Sequence, residues 1–231
     1  MNSILFVDTS FNECRVMIVK NNELSEVYED ARKLRHSEKL LKLIDSALAE
    51  MKTRITDFDF FSAPQGPGSF TGIRIGLETA KGFAYALEKK MILLNNLDIL
   101  MNSVNSISLN FQEIIAMIHS GNNMFYYSIY KRKNDALENI VANKHKDIRE
   151  ILKVLDGKSQ YAVVCGAGSE IVFPYINEKN CCLFPVEKSY YRKAVGDMLK
   201  KSILCGNTIE PLKALPVYIK LTDAEVKKSL Y

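Results

Sequence analysis

Histidine is scarce in this chain, occurring only as His36, His119 and His145. No two of them stand in an H-x-x-x-H or H-E-x-x-H spacing, which excludes the paired helical ligands of a metallohydrolase, and no metal ligand is assigned. Long apolar runs are missing as well: nothing approaches the ~18 unbroken residues that a membrane-spanning helix needs. Lys131-Arg132-Lys133 is the densest basic run and reads as a solvated turn, so the basic stripe that announces a nucleic-acid module is lacking too. Five cysteines occur without a repeated spacing, and no signal peptide is recognised; both point to reduced thiols and a cytoplasmic protein. Cys181 and Cys182 are adjacent, cannot readily pair with each other, and read as strand residues. No nucleophile–base pairing is recognisable either. Ser37 and Ser69 read as helix caps, and no catalytic residue is assigned.

What is present is ordinary for a globular chain: 231 residues, 47% hydrophobic and 25% charged, enough for one large domain or two small ones. A net charge of +4 tolerates a nucleic-acid partner without requiring one. Ile4–Val7, ending in Asp8, reads as a strand buried on both faces. Arg15–Val19 and Glu23–Glu29 around Asn21-Asn22 suggest a hairpin. Residues 37–52 have helical spacing in Leu40, Leu41, Ile44, Ala47, Leu48 and Met51. Phe58–Ala63 is a strand, 70–88 a helix, Met91–Leu94 a strand, and Leu97, Leu100, Met101 and Val104 mark a short helix. After a weak connector at Ile107–Phe111 the order recurs in reduced form. Glu113–Ile118 and Met124–Tyr130 flank a turn, Asp147–Leu155 is helical, and Tyr161–Cys165 runs into the turn Gly166-Ala167-Gly168-Ser169. Cys181–Phe184 is strand-like, and the helix Tyr190–Leu204 closes at Gly206. Two βββαβα-type halves, the second reduced, form the α/β superfold of actin, Hsp70 and the sugar kinases. The expected division is 1–106, 107–210, and a tail helix over 211–231 that packs back on the N-terminal half.

The chain turns on Gly66-Pro67-Gly68-Ser69-Phe70-Thr71-Gly72-Ile73-Arg74-Ile75-Gly76, a strand end, a stiff loop and a helix start. Gly66 and Gly68 reach backbone angles closed to other residues, Pro67 rigidifies the loop, and Ser69 or Thr71 caps the helix. Such a loop either cradles an anion on its free N–H groups or merely turns the chain tightly. Gly72, Gly76, Ala80 and Ala84 share one helical face. Gly72, Gly76 and Gly82 together cost roughly 2–3 kcal/mol relative to alanine, a cost that close approach of another backbone offsets. That backbone belongs either to the same domain or to another subunit.

The Gly66–Gly76 run resembles the signature of the TsaB (YeaZ) family, bacterial proteins needed to make N6-threonylcarbamoyladenosine in tRNA. Ile4-Leu5-Phe6-Val7-Asp8-Thr9-Ser10 is similar to that family's opening strand and turn. Arg35-His36-Ser37-Glu38 resembles its first helix start, and Pro216-Val217-Tyr218-Ile219-Lys220 its closing segment. The likeness is tight over residues 1–101 and loose from there to about 210. It implies an actin-like fold and a non-catalytic subunit that holds and activates the catalytic paralogue TsaD. TsaE, an ATPase, is a further implied partner, tRNA is met through the assembly, and a homodimer forms in isolation. The pairing face is implied to lie on the helices starting near Ser37 and Ser69, with His36, Leu41, Leu48, Gly72, Gly76, Thr79, Ala80 and Phe83. On that reading Gly76→Leu is expected to keep the fold and abolish pairing. No cofactor is assigned to the chain itself; ATP or ADP belongs to the assembly. Asp8, Thr9, Ser10, Gly166 and Gly168 mark a vestigial nucleotide cleft, and Asp8 alternatively accepts backbone N–H groups at its strand end. The chain departs from the family at His119-Ser120-Gly121-Asn122-Asn123, where the family carries an acidic residue. Imidazole and amides are poor Mg²⁺ ligands, which weakens ATP hydrolysis here. Two other classes compete: a small ATP-dependent phosphotransferase or ATPase built on Asp8 and both glycine loops, and a free-standing RNA-binding module.

Overall fold

The computed structural model describes residues 2–20, 23–30, 36–105, 111–134, 136–156, 162–175, 181–184 and 186–219. The first half runs β1 (Ile4–Asp8), β2 (Glu13–Lys20), β3 (Glu23–Asp30), α1 (His36–Glu50), β4 (Phe60–Gly66), α2 (Phe70–Ala86), β5 (Lys90–Asn95) and α3 (Asn96–Asn105). The second runs β6 (Glu113–His119), β7 (Met124–Lys133), β8 (Ala136–Asp147), α4 (Ile148–Asp156), β9 (Ala162–Cys165), α5 (Ser169–Val172), β10 (Cys181–Phe184) and α6 (Lys188–Leu204). The first sheet has the order β3-β2-β1-β4-β5 and the second β10-β9-β6-β7-β8. In each, the opening strand is central, antiparallel to the hairpin on one side and parallel to the later strands on the other. The chain therefore carries the same actin-like unit twice.

In the first unit Leu5 and Val7 of β1 join Val16 and Ile18 of β2, Leu40 and Ile44 of α1, and Leu77, Ala80 and Ala84 of α2 in one core. Ile4 and Phe6 point to the opposite sheet face and are also buried, which is why this strand reads as an unbroken apolar run rather than an alternation. Ser69 caps α2: its Oγ accepts from the Gly72 N–H at 3.2 Å. The second unit buries Ile115, Met117, Phe125, Tyr127 and Ile129 under Ile151 and Leu155 of α4. All five cysteines are free; Cys14, Cys165 and Cys181 are buried, and burial pushes the Cys165 thiol well up. Among the described residues no helix is long and apolar enough to cross a membrane.

Several expectations need correction. The strand expected at Phe58–Ala63 starts at Phe60 and runs on through Gly66. Lys131-Arg132-Lys133 is not a turn but the end of β7, with the Arg132 guanidinium 4.8 Å over the Phe111 ring. The long strand β8 went unpredicted because its sequence, ALENIVANKHKD, is mostly polar and none of its residues is fully buried. The Asn21-Asn22 turn, Arg35, residues 107–110 and everything from 220 onward lie outside the described residues. Within 211–219 the expected tail helix is absent: Pro211–Lys213 forms a 3-10 turn and residues 214–219 are irregular. The division also differs from 1–106 and 107–210. One compact unit holds Met1–Ile99 with Lys188–Pro216, and the other holds Leu100–Glu187 with the stretch beginning at Val217.

Helix α6 belongs to the first unit because its buried side, Tyr191, Ala194, Val195 and Leu199, lies there and its polar side chains anchor it. Lys188 Nζ reaches Glu13 Oε1 at 3.0 Å, and Arg15 holds the same carboxylate at 2.6 Å. Burial alone raises the Glu13 pKa, but hydrogen bonds from Lys188 and Arg15 outweigh it and leave the group below its usual 4.5. A carboxylate with a depressed folded pKa adds stability above its unfolded value and loses it as the pH falls through the folded one. Melting temperature measured against pH is therefore expected to show Glu13→Gln less stable than wild type above pH 4.5. The difference should shrink to nothing in more acid solution, and it should be small because the pair is partly solvated.

Candidate functional site

Strand β1 ends in Asp8 at the centre of its sheet, the residue expected to mark a vestigial nucleotide cleft. Here the carboxylate is committed to its own chain. Oδ1 accepts from the Ser10 backbone N–H at 2.8 Å and from Ser10 Oγ at 2.5 Å, while Oδ2 accepts from the Tyr191 hydroxyl of α6 at 2.6 Å. The Tyr191 ring in turn carries the Arg15 guanidinium 4.4 Å from its centroid. Thr9 donates from Oγ1 to the Gly72 carbonyl at 2.6 Å, and Ser10 Oγ accepts from Asn96 Nδ2 at 2.9 Å. Asp8, Thr9 and Ser10 are 3%, 1% and 1% exposed, so this turn is closed. The role of accepting a backbone N–H at the strand end is the one the structure displays.

The Gly66–Gly72 loop seals the turn. Ser69 donates its backbone N–H to the Ser10 carbonyl at 2.9 Å, and Asn96 Nδ2 donates to the Pro67 carbonyl at 2.9 Å. A Cβ on Gly68 would stand 2.8 Å from the Ser10 carbonyl oxygen. The loop makes a tight turn in which the N–H groups of Ser69 and Gly72 are taken within the chain. Gly66 adopts φ +110°, a region costly for any residue with a Cβ. Thr71 is exposed and does not cap; Ser69 does.

The face formed by Gly72, Gly76 and Ala80 is a correction to the sequence expectation. All three are buried. A Cβ on Gly72 would lie 1.9 Å from the Thr9 carbonyl oxygen, and one on Gly76 2.7 Å from Thr9 Oγ1. The close backbone that offsets their helical cost is the chain's own turn, so this face is not open to a partner. Phe83 is stacked on Phe61 with centroids 5.9 Å apart, Leu48 packs on the core, and Thr79 Oγ1 donates to the Ile75 carbonyl at 2.7 Å. The His36 side chain lies outside the described residues. Of the residues expected at the pairing face, only Leu41, 56% exposed, clearly faces outward.

A different stripe of the same helix is open. Phe70, Arg74, Glu78, Gly82 and Tyr85 are exposed, and the Arg74 guanidinium lies 4.0 Å over the Phe70 ring. A Cβ added at Gly82 would meet nothing within 4 Å among the described residues outside its own helix turn. The 3-10 turn Pro211–Lys213 packs on α2, and Lys81 Nζ donates to the Ala214 carbonyl at 3.3 Å. Beside that anchor Leu212 and Leu215 turn outward, 70% and 64% exposed. Sequence reasoning named Gly82 as a cost but not as the helical glycine that, among the described residues, has no close internal neighbour.

In the second unit Gly166 and Gly168 also answer to packing. Their φ values are +109° and +91°, and added Cβ atoms would meet the Met117 carbonyl oxygen at 2.1 Å and His119 Cβ at 2.5 Å. His119 Nε2 lies 2.6 Å from the Asn122 carbonyl oxygen, so the departing turn is organised by its own imidazole. Ser120 Oγ and His145 Nε2, brought together by the unpredicted strand β8, are 2.8 Å apart. Ser120 Oγ is also 3.1 Å from the Met124 carbonyl, which only accepts. Both contacts hold together when the imidazole N–H donates to Oγ and the hydroxyl donates to Met124, which leaves no base for a serine nucleophile. Among the described residues no three His, Cys, Asp or Glu side chains cluster as a metal site.

A family model described as TsaD, tRNA N6-adenosine threonylcarbamoyltransferase, matches residues 28–215. The tRNA threonylcarbamoyladenosine biosynthesis protein TsaB of Buchnera aphidicola subsp. Acyrthosiphon pisum is 27% identical over 136 residues, 59% of this chain and 61% of that protein. TsaB of Haemophilus influenzae is 29% identical over 126 residues, 54% of this chain and 52% of that one. The match thus spans between half and two thirds of these relatives' length. The solved structure of YeaZ from Pseudomonas aeruginosa superposes with a TM-score of 0.76 at 19% identity, covering 94% of this chain and 100% of that one, a likeness of fold. With a family model covering most of the chain and TsaB proteins among its relatives, the chain belongs to the family that the TsaD model describes and, within it, to the TsaB (YeaZ) proteins.

Proposed function

We propose that this chain is the non-catalytic TsaB subunit of the bacterial assembly that makes N6-threonylcarbamoyladenosine in tRNA, and that it binds and activates TsaD. The observation carrying the reading is the closed turn of the first unit. Both oxygens of Asp8 are occupied by Ser10 and Tyr191, in a chain whose relatives are named for this pathway. A phosphotransferase built on Asp8 would first have to break three internal hydrogen bonds around a buried carboxylate, each worth about 1 kcal/mol or more. The pairing face proposed here is the open stripe of α2 around Gly82, flanked by Tyr85 and Glu78, with Leu41 of the neighbouring α1. An exposed mid-helix glycine costs about 1 kcal/mol relative to alanine, and a second helix crossing at that point would offset it. TsaE and tRNA are met through the assembly, and the same stripe serves a homodimer when TsaD is absent.

Co-purification with TsaD tests this. Gly82→Leu and Tyr85→Glu are expected to keep the wild-type melting temperature within a few degrees and to lower TsaD capture about tenfold or more. Gly82→Ala is expected to stabilise the isolated chain by about 1 kcal/mol in urea unfolding. Purified alone with ATP and Mg²⁺, the chain should show no turnover that Asp8→Asn abolishes. Turnover that depends on Asp8 would favour the phosphotransferase, and TsaD capture indifferent to Gly82 and Tyr85 would remove the proposed face.

A further inference from the structure

Helix α6 carries a feature that the subunit reading does not use. Its seventeen residues include five basic side chains, Lys188, Arg192, Lys193, Lys200 and Lys201, against a single acid, Asp197. Ser189, Arg192, Lys193, Gly196, Asp197 and Lys200 recur at helical spacing and line one side of a groove of about 410 Å³, with Val19 and Leu24 of the β2–β3 hairpin opposite. Gly196 forms the floor: a Cβ there would stand 3.1 Å from Leu24 Cδ2. The Arg192 guanidinium donates to the Leu24 carbonyl and so pins the hairpin to the helix. Lys193, Lys200 and Lys201 are exposed, and Lys188 is held by Glu13 at 3.0 Å.

Lys193 and Lys200 are seven residues apart, about 10 Å along the helix. That is at or beyond the Debye length of about 8–10 Å at physiological salt, so the two amines act as separate charges that suit an extended anionic ligand rather than a single ion. Lys193 is paired with Asp197 at 2.7 Å, but both side chains are 59% exposed, and such a pair holds its lysine weakly. The choice of amines matters as well. Lysine binds phosphate as a point charge, without the bidentate geometry of an arginine fork, and the one arginine of this helix is already engaged with Leu24, so the row offers charge complementarity to a polyanion rather than a shaped single-ion site.

We infer that the α6 groove is a docking surface for the phosphate backbone of a folded RNA. The inference deepens the subunit reading and rests on it for the choice of a tRNA. The lysines position the RNA by counterion release and read no sequence. Asp197 is the only acid on the helix and opposes binding.

The test is anisotropy of a fluorescent, unmodified tRNA transcript titrated with the full chain, alone and in complex with TsaD, at several salt concentrations. TsaD capture is measured in parallel. The triple variant Lys193→Glu, Lys200→Glu, Lys201→Glu is expected to lose about tenfold or more in affinity, with a salt slope shallower by about 2–3. The corresponding triple Lys→Gln variant should fall between that and wild type, guarding against a folding artefact. Asp197→Asn should raise affinity several-fold, a gain that no merely structural role supplies. Lys131→Glu with Lys133→Glu, altering the basic run of the other unit, should change nothing. TsaD capture should be unaffected in every variant. Unchanged affinity and salt slope in the glutamate triple would overturn the proposal, as would loss of TsaD capture with tRNA binding intact, which would make the groove a protein-docking site. Failure of wild type to capture TsaD would count against the subunit reading alone, because the tRNA titration of the isolated chain is read independently.

Discussion

The first unit depends on the contact between Thr9 and two glycines of α2. The Thr9 carbonyl oxygen sits where a Cβ of Gly72 would be, and its hydroxyl both crowds Gly76 and donates to the Gly72 carbonyl. Only a helix without side chains at those two positions can approach the strand end this closely. That approach lets Ser69 cap the helix while its N–H reaches Ser10, and lets Asn96 tie Ser10 to Pro67. The helical cost of Gly72 and Gly76, about 1 kcal/mol each, is therefore an internal packing cost.

Closure of the turn has a chemical consequence. A buried carboxylate must be compensated, and Asp8 finds its compensation in Ser10 and Tyr191. Tyr191 also receives Arg15, whose partner Glu13 holds Lys188, so one polar chain fastens α6 to β1 and β2. The elements that could have served nucleotide chemistry are spent on rigidity. Among the described residues, the Gly82 stripe of α2 and the basic groove of α6 lie on the surface of this unit. The proposed role, in which the chain presents surfaces to partners, draws on these two features.

Much of this was legible in the sequence and some was not, for identifiable reasons. The unbroken apolar run Ile4–Val7, the Ser69 cap and the repeat of the βββαβα order were readable because they are local. The small-residue face of α2 was readable as a close approach, but its partner was not. Thr9 lies 63 residues from Gly72, and nothing in the spacing distinguishes a neighbouring strand end from a foreign helix. Tyr191 was unreadable as the partner of Asp8 across 183 residues for the same reason. Strand β8 was missed because a sheet-edge strand with a polar surface lacks the alternation that marks a half-buried one. The domain division was misjudged because α6 looks, in order, like the last helix of the second repeat, whereas its buried side chains and its bonds to Asp8 and Leu24 assign it to the first unit.

The most direct test of the account is urea unfolding of Gly72→Ala, with TsaD capture measured on the same preparation. An alanine is the better helix former by about 1 kcal/mol, so on an open face it would stabilise the chain. Against the Thr9 carbonyl it must overpack, and the account expects a net loss of stability toward the upper end of the about 1–3 kcal/mol typical of such substitutions. Capture per folded molecule should be little changed. A variant as stable as wild type or more so, yet unable to capture TsaD, would contradict the account and return the glycine face to a partner.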